Sequence, residues 1–251
     1  MPPMTMTAEN LLAAADDIND LLEPLLLRAR VKDSGEARVA MCLYLTIAEL
    51  YGAALAVYKS QYQSHAPVLI RSMLESLADL LILVTDASHL DQMNFENARQ
   101  MLNVVKAFEG DVDLQKDADA MMTMKSWRDR EQPIYESLKT KGVKPKSILD
   151  TFRTAGISRE YAGYRFLCSF THVNINALIT RHAGVGHLRF TYDMPLETLR
   201  STLGMAISLY GRAVETLPSY TDIAQIDVVA AINAVDTRWE NFEPMRIEPR
   251  R

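Results

Sequence analysis

The chain has 251 residues, of which 48% are hydrophobic and 24% are charged, a composition typical of one large or two small globular domains. Its net charge of −5 excludes a general DNA-coating protein, which needs a basic excess. The two cysteines, Cys42 and Cys168, lie far apart without C-x-x-C or zinc-ligand spacing, so we expect free thiols.

The N-terminus has no cationic, apolar pattern of a secretory signal. The most apolar window, LADLLILV at 77–84, is too short to span a bilayer and contains Asp79. These features predict a cytoplasmic protein without a membrane partner.

Apolar residues recur at i, i+3, i+4 and i+7 along most of the chain, glycine is scarce, and alternating strand patterns are almost absent. The pattern predicts an all-α protein, a single bundle of about eight to nine helices. The predicted helices span 7–30, 35–63, 66–85, 91–109, 113–140, 145–153, 158–182, 194–217 and 222–239.

Several residues predict where these helices start and break. Thr7 opens the first helix, and Pro24 predicts a kink or a split in it. The sequence at 33–35 (Asp-Ser-Gly) predicts the start of the second helix, and Pro67 suits the first turn of the third. Asn174 and Asn176 lie in an otherwise helical run and predict a break near 173–176.

The predicted organisation has three parts. Residues 1–34 form an N-terminal helix that packs on the core, residues 35–217 form the helical bundle core, and residues 218–251 form a C-terminal helix with an irregular tail.

A charged stripe runs along the third predicted helix. Arg71, Glu75 and Asp79 are spaced by four in an otherwise apolar segment, so they lie on one face. Either the stripe is an exposed intrahelical ion pair, or it is a semi-buried network that needs partners from another helix because unpaired buried charges are costly.

The segment YRFLCSFTHVNIN at 164–176 supplies such partners. Tyr164, Cys168 and His172 are spaced by four, and Arg165 lies seven residues before His172, so the spacing predicts that all four share one side of a helix. Asn174 adds an amide beyond them. We therefore predict a polar cluster made by two helices that are distant in the chain.

Metal chemistry is not predicted, because no Glu has a His three residues later, the spacing that di-metal bundles use. No cofactor is predicted either.

These two motifs, IRSMLESLADLL with Arg71 and Glu75 and YRFLCSFTH with Tyr164 and His172, resemble those of an uncharacterised bacterial all-helical family of unknown function. The resemblance covers roughly 40–215, and Cys168 stands where that family usually has serine.

The second motif also looks like that of the HEPN superfamily, helical bundles with an R-x(4–6)-H motif. This resemblance implies an HEPN-like core, a homodimer, and a metal-independent endoribonuclease of a toxin–antitoxin or phage-defence system. His172 would then act as general acid and base, and Arg165 would stabilise the transition-state charge. Phe166 departs from the Asn, Asp or His that usually follows the arginine.

Charge is uneven along the chain. Residues 139–189 carry nine Lys or Arg and two Asp or Glu, although the whole chain is acidic. A basic segment of this kind attracts phosphate and predicts a possible RNA contact, while a solvated basic face is the simpler alternative.

Three functions stay open at this point. The first is a non-catalytic binding or scaffold domain whose Arg, Glu, Tyr and His side chains form a structural cluster. The second is the HEPN-like ribonuclease that uses Arg165 and His172. The third is an enzyme that acts on a small ligand or nucleotide in a bundle pocket.

Overall fold

The computed structural model describes residues 4–171, 175–183, 187–190 and 194–242. Within these ranges the protein contains eleven α-helices and no β-strand, only three isolated bridges. The prediction of an all-α protein is therefore confirmed. The helices are α1 (Ala8–Arg28), α2 (Gly35–Tyr58), α3 (Ala66–Leu83), α4 (His89–Glu109), α5 (Ala118–Thr140), α6 (Ile148–Thr154), α7 (Tyr161–Thr171), α8 (Ile175–His182), α9 (Leu196–Glu215), α10 (Leu217–Tyr220) and α11 (Gln225–Glu240).

Side-chain caps fix the start of several helices. The Thr7 hydroxyl accepts a hydrogen bond from the Asn10 amide at 3.1 Å, and the Ser34 hydroxyl accepts one from Ala37 at 3.1 Å. Each bond satisfies one of the backbone donors that a helix N-terminus leaves unpaired. Both start signals predicted from the sequence are confirmed, as is Pro67 in the first turn of α3.

Of the two predicted effects of Pro24, the split does not occur, because α1 is continuous from Ala8 to Arg28, and the kink stays a prediction. A proline inside a helix removes one backbone hydrogen bond. Here Pro24 is exposed while Leu22 and Leu25 are buried, so the packing of the apolar face holds the helix together across the missing bond.

Other boundaries also differ from the prediction. The second helix ends at Tyr58, and a 3₁₀ turn, Gln63–His65, precedes α3. The segment predicted at 194–217 continues into α10, a separate short helix that carries Pro218 in its first turn. The predicted break near 173–176 includes residues 173 and 174, which lie outside the described residues, and α8 begins at Ile175.

The chain divides into two compact units, one made of residues 1–84 and 152–251 and the other of residues 85–151. The boundaries predicted at 34/35 and 217/218 both fall inside the first unit. In the first unit the helices α1 and α11 pack on each other and on α9, so both of these helices share a core with α9.

The core of the first unit is centred on α2, α3 and α9, which pack on one another. Buried tyrosines on α2 contribute hydrogen bonds as well as apolar surface. Tyr51 donates to the carbonyl of Ala15 at 2.7 Å, and Tyr58 donates to the Thr202 hydroxyl at 2.5 Å. The phenols of Tyr51 and Tyr58 are thus satisfied, which offsets the desolvation of their hydroxyls.

In the second unit α4 packs on α5. The rings of Phe95 and Tyr135 stack with centroids 5.1 Å apart. Its buried apolar side chains are few, namely Phe95, Ala98, Val105, Met124 and Leu138.

By length and composition alone, the helix α2 is long and apolar enough to cross a membrane. This was not predicted from the sequence, because the apolar window at 77–84 was considered and α2 was not. Core helices of soluble proteins pass the same test, and nine residues of α2 are buried within the protein.

Candidate functional site

The charged stripe of α3 lies against α7. The helix α3 buries ten residues, including Ile70, Met73 and Leu74, and packs on both α2 and α9. Arg71 and Glu75 share the remaining face, which contacts α7. The apolar spacing of α3 therefore places the charged pair at the junction with α7.

Three side chains close a ring of hydrogen bonds at this junction. Arg71 Nη2 donates to Glu75 Oε1 at 2.8 Å and to the Tyr164 hydroxyl oxygen at 2.9 Å. The same hydroxyl donates to Glu75 Oε1 at 3.0 Å. We call Arg71, Glu75 and Tyr164 the polar clamp. It joins α3 to α7 across 93 positions of sequence, so the predicted proximity of these two segments is confirmed.

Aromatic packing holds the Tyr164 ring in place. The ring is buried, meets Phe152 edge-on at 5.3 Å between centroids and stacks on Tyr161 at 6.0 Å. The Arg71 guanidinium carbon lies 5.1 Å from the centroid of the same ring. Tyr164 therefore receives both a hydrogen bond and a cation–π contact from Arg71.

The clamp is only partly shielded from water. The Arg71 side chain is 25% exposed and the Glu75 side chain is 34% exposed. Arg71 Nε is buried and has no hydrogen-bond partner among the described residues. The cluster is thus the semi-buried network predicted from the sequence rather than a free surface ion pair.

Burial and hydrogen bonding shift two pKa values within the clamp. Burial raises the pKa of the Tyr164 phenol to about 12, the hydrogen bond from Arg71 opposes this shift, and Glu75 and Cys168 add to it. Burial opposes the charge on Arg71, but its interactions with Tyr164, Cys168 and Glu75 outweigh that effect and raise its pKa. At neutral pH the clamp therefore holds a charged arginine and a neutral phenol.

Cys168 lies one turn beyond Tyr164 on α7. It is half-buried, not part of a disulfide, and its thiol interacts with the side chains of Arg71 and Tyr164. The predicted membership of Cys168 in the cluster is thus consistent with its position. Asp79 lies one turn beyond Glu75 on α3. Its side chain is half-buried, and the residue interacts with another group of the protein.

Arg165 does not share the face of Tyr164, contrary to the prediction. Arg165 is exposed, whereas Tyr164 is buried. Adjacent helical residues are separated by about 100°, so the side that packs on α3 accommodates Tyr164 and Cys168 but leaves Arg165 in solvent. His172 and Asn174, the other predicted members, lie outside the described residues.

A second polar group was missed by the sequence analysis. Arg181 on α8 donates through Nη2 to the carbonyls of Phe170 at 2.6 Å and Ser64 at 3.3 Å, so it ties α7, α8 and the 3₁₀ turn together. Burial, Arg181 and His182 lower the pKa of His65. The sequence did not single out Arg181, because it is one of nine Lys or Arg residues in the basic segment 139–189.

The second unit contains a separate cavity of about 320 Å³ between α4 and α5. Three of its lining side chains are basic, but Arg128 pairs with Glu109 and Arg99 pairs with Glu96. Its positive charge is therefore largely neutralised. Among the residues that the structure describes, no group of three or more His, Cys, Asp or Glu side chains has a metal-binding arrangement.

Comparison with known proteins gives one match. No curated protein and no solved structure matches the sequence. A sequence model of DUF5677, a family of unknown function, matches residues 37–186, more than half of the chain and a range that includes the whole clamp. The predicted membership of a family of unknown function is confirmed, while the likeness to HEPN bundles stays a prediction. The chain belongs to the family of unknown function DUF5677.

Proposed function

We propose that the protein is a non-catalytic helical binding or scaffold domain in which the polar clamp fixes the packing of α3 on α7. One observation carries this proposal, the closed ring of hydrogen bonds among Arg71, Glu75 and Tyr164. A catalytic group needs an atom free to reach a substrate. Here the phenol already uses its proton on Glu75 and its oxygen on Arg71.

The titration of the clamp supports the same conclusion. A general acid or base works best with a pKa near the working pH. The pKa of Tyr164 is raised to about 12, away from neutrality, which makes the phenol a poor proton donor or acceptor in catalysis.

The HEPN-like ribonuclease remains the second candidate, and one feature favours it. Arg165 is exposed on α7, so a phosphate can reach its guanidinium from solvent. In this candidate Arg165 binds the scissile phosphate and His172 transfers the proton.

A cleavage assay separates the two candidates. The purified protein is incubated with labelled RNA in the presence of EDTA, beside His172→Ala and Arg165→Ala. We expect no cleavage by the wild type. Cleavage by the wild type that either variant abolishes would assign the ribonuclease and overturn the scaffold proposal. Cleavage that is equal in all three proteins would indicate a contaminating nuclease, which a repeat purification identifies.

A further inference from the structure

Exposed apolar side chains are concentrated in one short part of the first unit. Six large hydrophobic residues of α7, α8 and the segment 187–190 are exposed. They are Phe166, Ile175, Leu178, Ile179, Leu188 and Phe190. We call these six residues the apolar patch. Contiguous exposed apolar surface of this kind marks an interaction site.

Described contacts connect the parts of the patch. Phe166 and Phe170 meet edge-on at 5.3 Å between centroids, and Arg181 binds the Phe170 carbonyl. The end of α8 is joined to the following segment, because Arg189 donates its amide to the His182 carbonyl at 2.8 Å and an isolated bridge pairs residues 183 and 188. These contacts hold α7, α8 and the segment 187–190 next to one another, so the six exposed side chains belong to neighbouring elements of the first unit.

The patch lies in a stretch with no acidic residue. Residues 161–190 contain no Asp or Glu, but contain three arginines and three histidines. Arg165 is exposed beside Phe166, and His182 is exposed at the end of α8. The exposed Arg165 thus places positive charge at the rim of the patch, and no carboxylate of the segment 161–190 offsets it, so the rim is complementary to an anionic partner.

The chemistry of the patch indicates which anionic partner fits. Four of its six residues are aliphatic and cannot stack on nucleobases, which weakens the case for single-stranded RNA at this surface. Leu188 and Phe190 are 84% and 78% exposed, so they project from the surface instead of lining a groove. Projecting Leu, Ile and Phe side chains beside arginines are typical of proteins that adsorb to anionic lipid surfaces.

We propose that the apolar patch docks the protein on the surface of an anionic lipid bilayer, with Leu188 and Phe190 inserted among the acyl chains and Arg165 at the headgroup phosphates. The expectation of no membrane partner rested on the lack of a spanning segment, and surface adsorption needs none. This inference rests on the proposed function, because it names a partner for the proposed binding domain. It does not depend on the polar clamp.

Vesicle co-sedimentation of the full-length chain tests the proposal. We expect sedimentation with vesicles that contain phosphatidylglycerol, much weaker sedimentation with phosphatidylcholine alone, and a loss of binding in high salt. The double substitution Leu188→Ser and Phe190→Ser should reduce the bound fraction by about tenfold or more. Arg165→Glu should weaken binding in the same assay.

Matched controls exist elsewhere in the same chain. Leu27 on α1 and Ile226 on α11 are 78% and 73% exposed, so Leu27→Ser with Ile226→Ser removes similar apolar surface and should retain binding. Lys125→Glu, at an exposed position of α5, makes the same charge change as Arg165→Glu and should have a smaller effect. Tyr164→Phe should leave vesicle binding intact, which separates this proposal from the clamp.

Three outcomes overturn the proposal. The first is no sedimentation with anionic vesicles. The second is equal binding by the patch variant and the control variant. The third is a change of oligomeric state, or of RNA retention, caused by the patch substitutions without any vesicle binding, which would assign the patch to a second copy of the chain or to nucleic acid.

Discussion

The hydroxyl of Tyr164 touches both charged groups of the clamp. An Arg–Glu pair spaced by four on one helix contributes only about 0.2–0.5 kcal/mol when it is exposed. The phenol changes the role of the pair because it comes from α7 and accepts from Arg71 while it donates to Glu75. A local helix contact thereby becomes a tertiary contact.

Removal of this hydroxyl should destabilise the protein. Tyr164→Phe keeps the ring packing but leaves the Arg71 donor and the Glu75 acceptor without their partner, which costs about 1–2 kcal/mol. We expect the melting temperature to fall by about 3–6 °C. Tyr161→Phe is the matched control, since Tyr161 lies on the same helix and its hydroxyl makes no hydrogen bond with a described residue. Equal melting temperatures for the two variants would contradict a structural clamp.

The same substitution should change the response to alkaline pH. The pKa of Tyr164 is about 12 in the folded protein and about 10 in an unfolded chain. Because the pKa is higher in the folded protein than in the unfolded chain, the protonated phenol stabilises the fold fully below pH 10. Between pH 10 and pH 12 the unfolded chain loses this proton more readily, so the stabilisation decreases by up to about 1.4 kcal/mol per pH unit. The difference in unfolding free energy between wild type and Tyr164→Phe should therefore shrink between pH 9 and pH 11. Denaturant titrations at each pH measure it, and a constant or growing difference would show that the phenol is not shifted upward.

At the scale of helices, close approach depends on small residues that periodicity does not reveal. A Cβ at Gly204 on α9 would lie 3.4 Å from Trp239 Nε1 of α11. A Cβ at Gly52 on α2 would meet no atom within 4 Å. A methyl group at Gly204 would therefore be in van der Waals contact with Trp239, and a larger side chain would meet the tryptophan, whereas Gly52 faces open space.

The two glycines should respond to substitution in opposite directions. Gly52→Ala should stabilise the protein by about 0.5–1 kcal/mol, because alanine favours the helix and nothing obstructs its methyl group. Gly204→Leu should destabilise it by about 1–3 kcal/mol, because the larger side chain forces α9 and α11 apart. Chemical denaturation measures both values, and stabilisation by Gly204→Leu would contradict the close packing of these helices.

The sequence predicted most of the helices and the two halves of the clamp, since both depend on spacing that recurs every three or four residues. Arg71 and Glu75 were found because they interrupt an apolar face, and Tyr164 because it stands four residues before Cys168. The separation of Arg165 from the face of Tyr164 was not predicted, because the width of a buried face depends on how closely the neighbouring helix approaches. The apolar patch was missed for the same reason, since Ile and Leu at helical spacing look identical whether or not another element covers them.

For the whole molecule, local stability depends on how the buried side chains are distributed rather than on the number of helices. The helices α2, α3 and α9 bury nine, ten and ten residues. The helices α4 and α5 of the second unit bury four and three. Stability within a protein follows the local density of buried contacts, so the second unit has the thinner core.

This difference predicts unequal hydrogen exchange. Amides of α4 and α5 should exchange through local opening at low denaturant, while those of α2, α3 and α9 should exchange only with global unfolding.

Phe95→Ala should sharpen the contrast, because it removes the ring that stacks on Tyr135 and leaves a cavity that costs about 3–5 kcal/mol. Mass spectrometry of exchanged peptides should then show faster exchange in residues 85–151 and little change in α2 or α3. Ile70→Ala on α3 is the reciprocal control and should accelerate exchange in the first unit. If Phe95→Ala accelerates exchange equally in α2, α3 and α4, the two units open as one cooperative structure and the thin core of the second has no independent effect.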